Sequence, residues 1–449
     1  MSQLSYQIPD NGRKKTILRI PESHTLYLCP GSCGRRQGIR ALKNGEADHV
    51  SFLTFSQADS ALGDYIGMVH DAVDEVLNAI DPTPRVITLY VNCIDDFIGT
   101  DGAALVEELS SRHPGTHFLL SHINPIAADV RGNVAVDIHT NHYAALDPVS
   151  AEQRDAGVNA VGGFVTVPHD CELRAYLEAL GVPVLRELVS CATFDEYADL
   201  ARSRFNISVS HLGQDACRMM EQRLGIPWMY WPACYDPDEL ARRYEMLGLA
   251  LSVPLFDNVT NGNGSATAPC AGTADAGATS GCASGADASD GALRAALRLD
   301  AADALLHAAR ARAVAATERA LAAVGDMPVV VDTSASLRPF SLALALIKAG
   351  FNVAAVFALH SKGNDTDAEG ELAREHPEVL VVRKQGIEAM AELGIPQTCV
   401  AMGRDAAFLL RADHTPDMYH DEGLFGYQGI EKLMDGIAAC MEHTERWDS

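Results

Sequence analysis

The residues best suited to chemistry in this chain are thiols. Cys29-Pro30-Gly31-Ser32-Cys33-Gly34 sets two cysteines four apart in a turn-forming stretch, and Cys93 follows a second apolar run further along. Two thiols in a tight loop can point the same way, and the amides of Gly31 and Gly34 are placed to donate to bound sulfur. Such an arrangement suits a soft metal ion or an iron-sulfur cluster. The structural alternative is two small buried residues in a turn, since free cysteine is among the most buried residue types. A zinc site would need a fourth donor, and His24 would complete a Cys3His set with Cys29, Cys33 and Cys93. Arg36 stands where the third cysteine of a Cys-x3-Cys-x2-Cys radical loop would be, which excludes that class.

Whether these thiols can meet depends on the elements that carry them. Leu26, Tyr27 and Leu28 read as a strand ending at the Cys-Pro-Gly turn, and residues 85–92 read as another ending at Cys93. The second is a nearly continuous apolar run, as expected of a parallel sheet covered by helices on both faces. Between them come a strand at 50–55 and a helix at 58–80, whose Ile66, Val69, Val73, Val76 and Ile80 recur at helical spacing until Asp81-Pro82 stops it. A helix at 103–109 and a strand at 116–122 continue the β-α-β-α order. In open parallel sheets function gathers outside the carboxyl ends of the strands. Cys29, Cys33 and Cys93 all fall there, so one shared site is expected.

Two further αβ units follow. The second is expected to have strands at 160–167, 182–189, 206–210 and 227–231, with helices at 171–180, 194–202, 213–224 and 237–251. Cys171, Cys191, Cys217 and Cys234 are scattered through it without metal spacing and read as packing residues. Residues 258–290 are Gly, Ala, Ser, Thr and Asp with almost no large apolar side chain. They cannot repay their ordering entropy and read as a flexible insertion, with Cys270 and Cys282 inside it. A long Ala-rich helix at 292–324 leads into strands at 329–332, 353–359, 379–382 and 398–402. A helix at 340–349 ends at Gly350, and a terminal helix begins near Gly429. The expected fold class is α/β, with three Rossmann-like parallel-sheet domains (1–150, 151–257 and 291–449) around a central cleft.

The chain is long enough, at 449 residues and 47% apolar, for about three domains. Its formal net charge of −25 sets aside nucleic acid and anionic membrane as partners, because phosphate recognition needs clustered Lys and Arg. No apolar run approaches the roughly 18 residues of a membrane span, and the N-terminus has no apolar core behind a basic start. A cytoplasmic protein is expected. Eleven cysteines, an odd number without a regular framework, read as reduced thiols plus a few ligands. No glycine-rich phosphate loop of the Walker or dinucleotide type occurs, so no ATP site is expected in this chain.

Taken together and in order, these stretches resemble the nitrogenase component 1 superfamily of α/β reductases over nearly the whole chain except the insertion. Cys29-Pro-Gly-Ser-Cys33-Gly is similar to the family's His-Gly-Pro-Ile-Gly-Cys loop, with Cys33 at the cluster-ligand position. Val91-Asn-Cys93-Ile-Asp-Asp-Phe-Ile98-Gly99-Thr-Asp101 resembles its strand-Cys-x4-Ile-Gly-Asp-Asp segment. Gly225-Ile-Pro-Trp-Met229, Val329-Val-Val-Asp332 and Gly423-Leu-Phe-Gly426-Tyr-Gln-Gly429 resemble segments of its second and third domains. The resemblance implies a 4Fe-4S cluster on Cys29, Cys33 and Cys93 at an interface with a second subunit, a homodimer mate or a paralogue, because three thiols leave four irons one ligand short. It implies an ATP-dependent iron-sulfur protein as electron donor. The substrate would be a small molecule, or a tetrapyrrole as in the protochlorophyllide and nickel-sirohydrochlorin reductases of the family.

In the cleft, His211, Arg338 and His360 are the candidate catalytic residues by position, with His414 and His420 beside them. The family's cofactor-binding Cys has no counterpart in Asn206-Ile-Ser-Val-Ser-His211, so the nitrogen-fixing cofactor is not implied. Two other readings share the cysteine set: a scaffold on which a metallocluster is assembled without turnover, and a zinc-stabilised binding protein with no redox role.

Deletion of residues 258–290 is expected to leave the folded core intact. The shortened chain should remain soluble and keep its melting temperature within a few degrees in a thermal melt, and an insoluble product would show that the segment packs.

Overall fold

The computed structural model describes residues 18–56, 59, 65–123, 134–252, 287–359, 364–383 and 393–444. Cys270, Cys282 and His360 lie outside them, as do residues 258–286 of the expected insertion. Three four-stranded parallel sheets succeed one another along the chain, as the α/β reading expects. The first comprises β1 (Ser23–Cys29), β2 (Val50–Thr54), β3 (Val86–Val91) and β4 (His117–His122) in the order β2-β1-β3-β4. Its helices are α1 (Gly31–Asn44), α2 (Tyr65–Ala79), α3 (Cys93–Ile98), α4 (Gly102–Arg112) and α5 (Val134–Asn141). The second sheet comprises β5 (Val158–Val161), β6 (Leu185–Glu187), β7 (Phe205–Ser208) and β8 (Trp228–Tyr230) in the order β6-β5-β7-β8. With it go α6 (Glu172–Ala179), α7 (Phe194–Ala198), α8 (Gly213–Leu224) and α9 (Pro237–Ser252). After α10 (Asp287–Val324) the third sheet comprises β9 (Val329–Asp332), β10 (Val353–Phe357), β11 (Leu380–Val382) and β12 (Val400–Met402) in the order β11-β10-β9-β12. Its helices are α11 (Pro339–Ala349), α12 (Thr366–Glu375), α13 (Arg404–Leu410) and α14 (Gly426–Cys440). Among the described residues no helix is long and apolar enough to cross a membrane.

The strand order reverses between β1 and β3, between β5 and β7, and between β9 and β12. Chain segments leaving the two strands at such a point diverge, and a crevice opens at their carboxyl ends. Just beyond β3 the chain forms α3, a helix not placed from the sequence. Asn92 Oδ1 accepts from Ile94 N (2.8 Å), Asp95 reaches back to Asn92 N (3.1 Å), and Gly99 ends the helix with φ 71°. This reciprocal cap supplies what a six-residue helix lacks in length.

The first sheet buries Leu26, Leu28, Ile87 and Leu89 against α2 and α4. Its other face carries Thr25, Tyr27, Thr88 and Tyr90 and so departs from the two-sided apolar burial expected of it. Sheets two and three share a core in which α10 lies along α14. Ala309, Ala313, Ala316 and Ala320 make one fully buried face of α10, and Ile430, Leu433, Met434 and Ile437 form the buried face of α14. The small residues let the two helices approach closely, so the Ala-rich stretch serves packing.

The start of α14 meets a buried carboxylate. Glu172, at the start of α6, accepts from the backbone N–H of Tyr427, from that of Gln428 (3.2 Å) and from the Tyr244 hydroxyl (2.8 Å). A charged acceptor here satisfies amides that a helix start leaves open and faces its positive end. Gly426 is required at the junction, because φ is 57° and a Cβ would run into the Glu172 carboxylate and the Tyr244 hydroxyl. Glu172→Ala leaves these donors unpaired and is expected to lower the unfolding free energy by about 2–4 kcal/mol in urea titration, with Glu172→Gln recovering part of it.

Candidate functional site

Cys29 ends β1, and Cys93 opens α3 directly after β3, the hydrogen-bonded neighbour of β1. Tyr27 pairs with Tyr90, so Cys29 stands level with Asn92, whose Nδ2 donates to Leu28 O (2.7 Å) and clamps the two strand ends. The stretch after Cys29 is the first turn of α1 rather than the loop expected from its Pro and Gly. The amides of Cys33 and Gly34 both bond to Pro30 O (2.9 and 3.2 Å), so Gly34 N is engaged in the helix and not available to a bound sulfur. Cys33 and Cys93 are exposed, whereas Cys29 is buried. Gly34 passes over it so closely that a Cβ there would come within 3.0 Å of Cys29 Sγ. Burial pushes the Cys29 thiol up to about 11, reinforced by Cys33 and Asp95 nearby. Asp95 accepts from the Tyr65 hydroxyl (2.5 Å) and joins this site without having been singled out from the sequence.

His24 does not complete the set. It lies at the opposite end of β1, five residues or roughly 16 Å from Cys29 at the rise of an extended strand. Its Nε2 bonds instead with Ser51 Oγ (2.8 Å), and burial, with His49 and Arg19, brings its pKa down to about 4. Cys29 and Cys33 thus lie together, with Cys93 at the neighbouring strand end. Among the described residues of a single chain, no three His, Cys, Asp or Glu side chains converge on a metal-holding set.

The crevices of the second and third sheets open into one cavity of about 380 Å³. Gly162 after β5 and His211 after β7 line it from one side, and Arg338, Asn364 and Asp421 from the other. His211, Arg338 and His420 thus all line this one cavity. His414 is not among the lining residues. Its Nδ1 bonds to the carbonyls of Cys440 (3.0 Å) and His443 (2.9 Å) at the end of α14. Cys234, read from the sequence as packing, forms part of the wall and donates to Asp236 O (3.4 Å). Asn364 Nδ2 lies 3.3 Å from His211 Nδ1 and 2.8 Å from Leu337 O, linking the loops of the two sheets. Asn364 Nδ2 can only donate, so this contact suits a His211 tautomer with its proton on Nε2. The Arg338 guanidinium is held by Ser341 Oγ (2.8 Å), Ala233 O (3.2 Å) and Asp365 (3.5 Å).

Residues 14–269 match the family model described as nitrogenase component 1 type oxidoreductase. The nitrogenase iron-molybdenum cofactor biosynthesis protein NifE of Clostridium pasteurianum is 25% identical over 170 residues, 35% of this chain and 34% of that protein. The match thus spans about a third of the relative's length. The structure of nitrogenase Cp1 at pH 6.5 superimposes with a TM-score of 0.65 at 12% identity, covering 98% of this chain and 94% of that one. The same protein at pH 5 gives 0.60 at 14% identity, covering 94% and 85%. At such identities the likeness is one of fold.

Asp421 is the cleft residue that sequence reasoning missed. It sits in a polar stretch, 417–422, where nothing but burial singles it out. His420 and Asp421 both take positive φ (47° and 62°), held by His420 N on Ser334 O (2.9 Å) and Asp421 N on Ala335 O (3.0 Å). Such backbone persists only where its surroundings enforce it, and here it turns the carboxylate inward. Asp421 accepts from the Tyr235 hydroxyl, Ser336 Oγ (3.1 Å) and Leu337 N (2.9 Å). Burial nevertheless pushes its carboxyl up to about 6, close enough to neutrality to hold or release a proton. Beside it are a fixed guanidinium and the His211 imidazole, so the cleft can bind a polar or anionic group and exchange protons with it.

A carboxyl whose pKa rises on folding takes up a proton between its unfolded and folded values, so the folded state loses stability as pH climbs through that window. Relative to Asp421→Asn, the unmodified protein is expected to lose about 2–3 kcal/mol of stability as pH rises from about 4 to about 6, with little further change above. Urea unfolding at fixed pH values measures the difference, and a flat difference would place Asp421 in contact with water.

Proposed function

Because the chain belongs to the nitrogenase component 1 type oxidoreductases, we propose that it is the substrate-reducing component of a two-component system working in the cytoplasm. A separate ATP-dependent iron-sulfur protein is the electron donor, and a 4Fe-4S cluster held by Cys29, Cys33 and Cys93 with a second subunit is the relay. The observation that carries this reading is Asp421 in the cleft wall, partly buried beside Tyr235 and Arg338, with its carboxyl pushed up to about 6. Reduction of an organic substrate needs protons delivered along with electrons, and a scaffold has no such need. His211 Nε2 and Arg338 are the groups to orient the substrate, with Asp421 exchanging its proton. At about 380 Å³ the cavity falls at the low end of ligand pockets and favours a small molecule over a tetrapyrrole.

The three cysteines would supply three of the four ligands of a 4Fe-4S cluster. Exposed Cys33 and Cys93 are open to thiols from a second copy or a paralogous subunit, and among the described residues of one chain no closed ligand set forms. When bound, the cluster would supply one-electron transfer at low potential. A second reading, a scaffold for metallocluster assembly without turnover, is favoured by the likeness to NifE, a cofactor biosynthesis protein. Turnover with an iron-protein partner and dithionite supports the first. Transfer of a bound cluster to an apo-protein without turnover supports the second.

Cys33→Ala and Cys93→Ala are each expected to remove most of the iron and the broad visible absorption from anaerobically purified protein. Cys171→Ala and Cys217→Ala, at buried packing positions, are expected to leave both unchanged. Zinc in place of iron, or full iron retention in the Cys93 variant, would overturn the cluster assignment.

A further inference from the structure

A second cavity, of about 270 Å³, lies against the polar face of the first sheet, beneath α1 and α5, and the proposed function makes no use of it. Strands covered on both faces are ordinarily apolar throughout. Here Thr25 and Tyr27 of β1 and Thr88 and Tyr90 of β3 face the cavity. Tyr27 and Tyr90 are in register, and their rings stack with centroids 5.1 Å apart and planes at 17°. Rings stacked along the sheet cover each other's faces, so their edges and hydroxyl tips are what they offer to a ligand.

Two further groups make the cavity a site. The Arg40 guanidinium, on α1, lines it and acts electrostatically on both tyrosines, on Tyr90 more strongly than Asp137 does. Arg19 at the same cavity is paired with Glu46 (3.1 Å), whereas Arg40 has no ion-pair partner among the described residues. His139, on α5, is 2% exposed, and its Nε2 is buried without a hydrogen-bond partner. A buried polar atom left unpaired is costly, and a ligand that met it would remove the cost. The remaining wall is mixed: Leu18, Ile20, Ile138 and Phe164 give it an apolar part, and Ser23, Gln37, His49 and His142 also line it. Phe164 also lines the cleft, so the two cavities share a wall.

We propose that this cavity is a second binding site for a small organic carboxylate. Its carboxylate would lie against Arg40 and the hydroxyls of Tyr27 and Tyr90, and its apolar body between the sheet and α5, within reach of His139. One unpaired guanidinium with its planar fork matches a singly charged carboxylate, whereas a phosphate carries more charge than these groups offset. The net charge of −25 makes such local donors necessary for holding any anion.

Calorimetric titration of the full chain with benzoate tests the assignment, with benzyl alcohol as the uncharged analogue and inorganic phosphate as the competing anion. Benzoate is expected to bind saturably, and benzyl alcohol and phosphate at least about tenfold more weakly. Arg40→Gln, and Tyr27→Phe combined with Tyr90→Phe, should each weaken benzoate by about tenfold or more. Arg40 is exposed, so its variant should fold, and an unchanged circular dichroism spectrum checks this. Absence of saturable benzoate binding at millimolar concentration, equal binding by the Arg40 variant, or a preference for phosphate would each overturn the proposal. The titration needs no iron and no turnover, so its failure leaves the reading of the cleft and cysteines untouched.

Discussion

Parallel pairing of β1 with β3 is the constraint on which the candidate chemistry rests. A parallel neighbour cannot be reached by a tight turn, so each connection crosses over through a helix and both strands end on the same edge. With the order β2-β1-β3-β4, the segments leaving β1 and β3 diverge, and the residues just beyond the two strands face a common crevice. Cys29 ends β1, Cys33 follows in the first turn of α1 and Cys93 opens α3 after β3, and Asn92 Nδ2 on Leu28 O holds the two strand ends together. The loops after β5 and β7 build one side of the cleft, and those after β9 and β10 with residues 420–426 build the other.

Buried carboxylates then fix the loops that this topology leaves at the strand ends. Glu172 takes the first amides of α14, Asp332 takes Ala406 N at the start of α13 (2.6 Å), and Asp365 takes Ser341 N at the start of α11 (2.9 Å). Each places a negative charge where a helix leaves donors open and its dipole is positive. Asp421 binds Leu337 N just ahead of α11 and completes the pattern with a charge that is only partly compensated. That shortfall raises Asp332 and Asp421 to about 6, and it lends Asp421, which reaches the cleft, its capacity to carry a proton. An acidic chain here uses its carboxylates as internal fastenings, and one of them doubles as a chemical group.

The two faces of the first sheet divide labour in a similar way. One face buries aliphatic side chains under α2 and α4 and provides the stability of this unit. The other gives up that burial for hydroxyls, an arginine and an unpaired imidazole. A sheet that forgoes apolar packing under two covering helices loses stability unless something else fills the space, and for this reason the polar face reads as a binding surface.

Local pattern alone determined a good deal of this protein. The bounds of α8 and β9 come from apolar spacing, with Gly225 ending α8 in the left-handed region, and the apolar runs before Cys29 and Cys93 place these two at strand ends. The capping pair Asn92 and Asp95 was equally local, but charged residues around it masked α3. Strand order was not legible, because it is decided by pairing between residues far apart, and with it went the positions of the crevices. His24 and His414 illustrate the limit: residue type suggested a ligand and a cleft residue, while packing put one at the far end of β1 and the other against the end of α14. Asp421 is the converse case. Its chemistry comes from burial against Tyr235, 186 residues earlier in the chain, and desolvation of a carboxylate is a property of the assembled interior that no spacing of residues along the chain encodes.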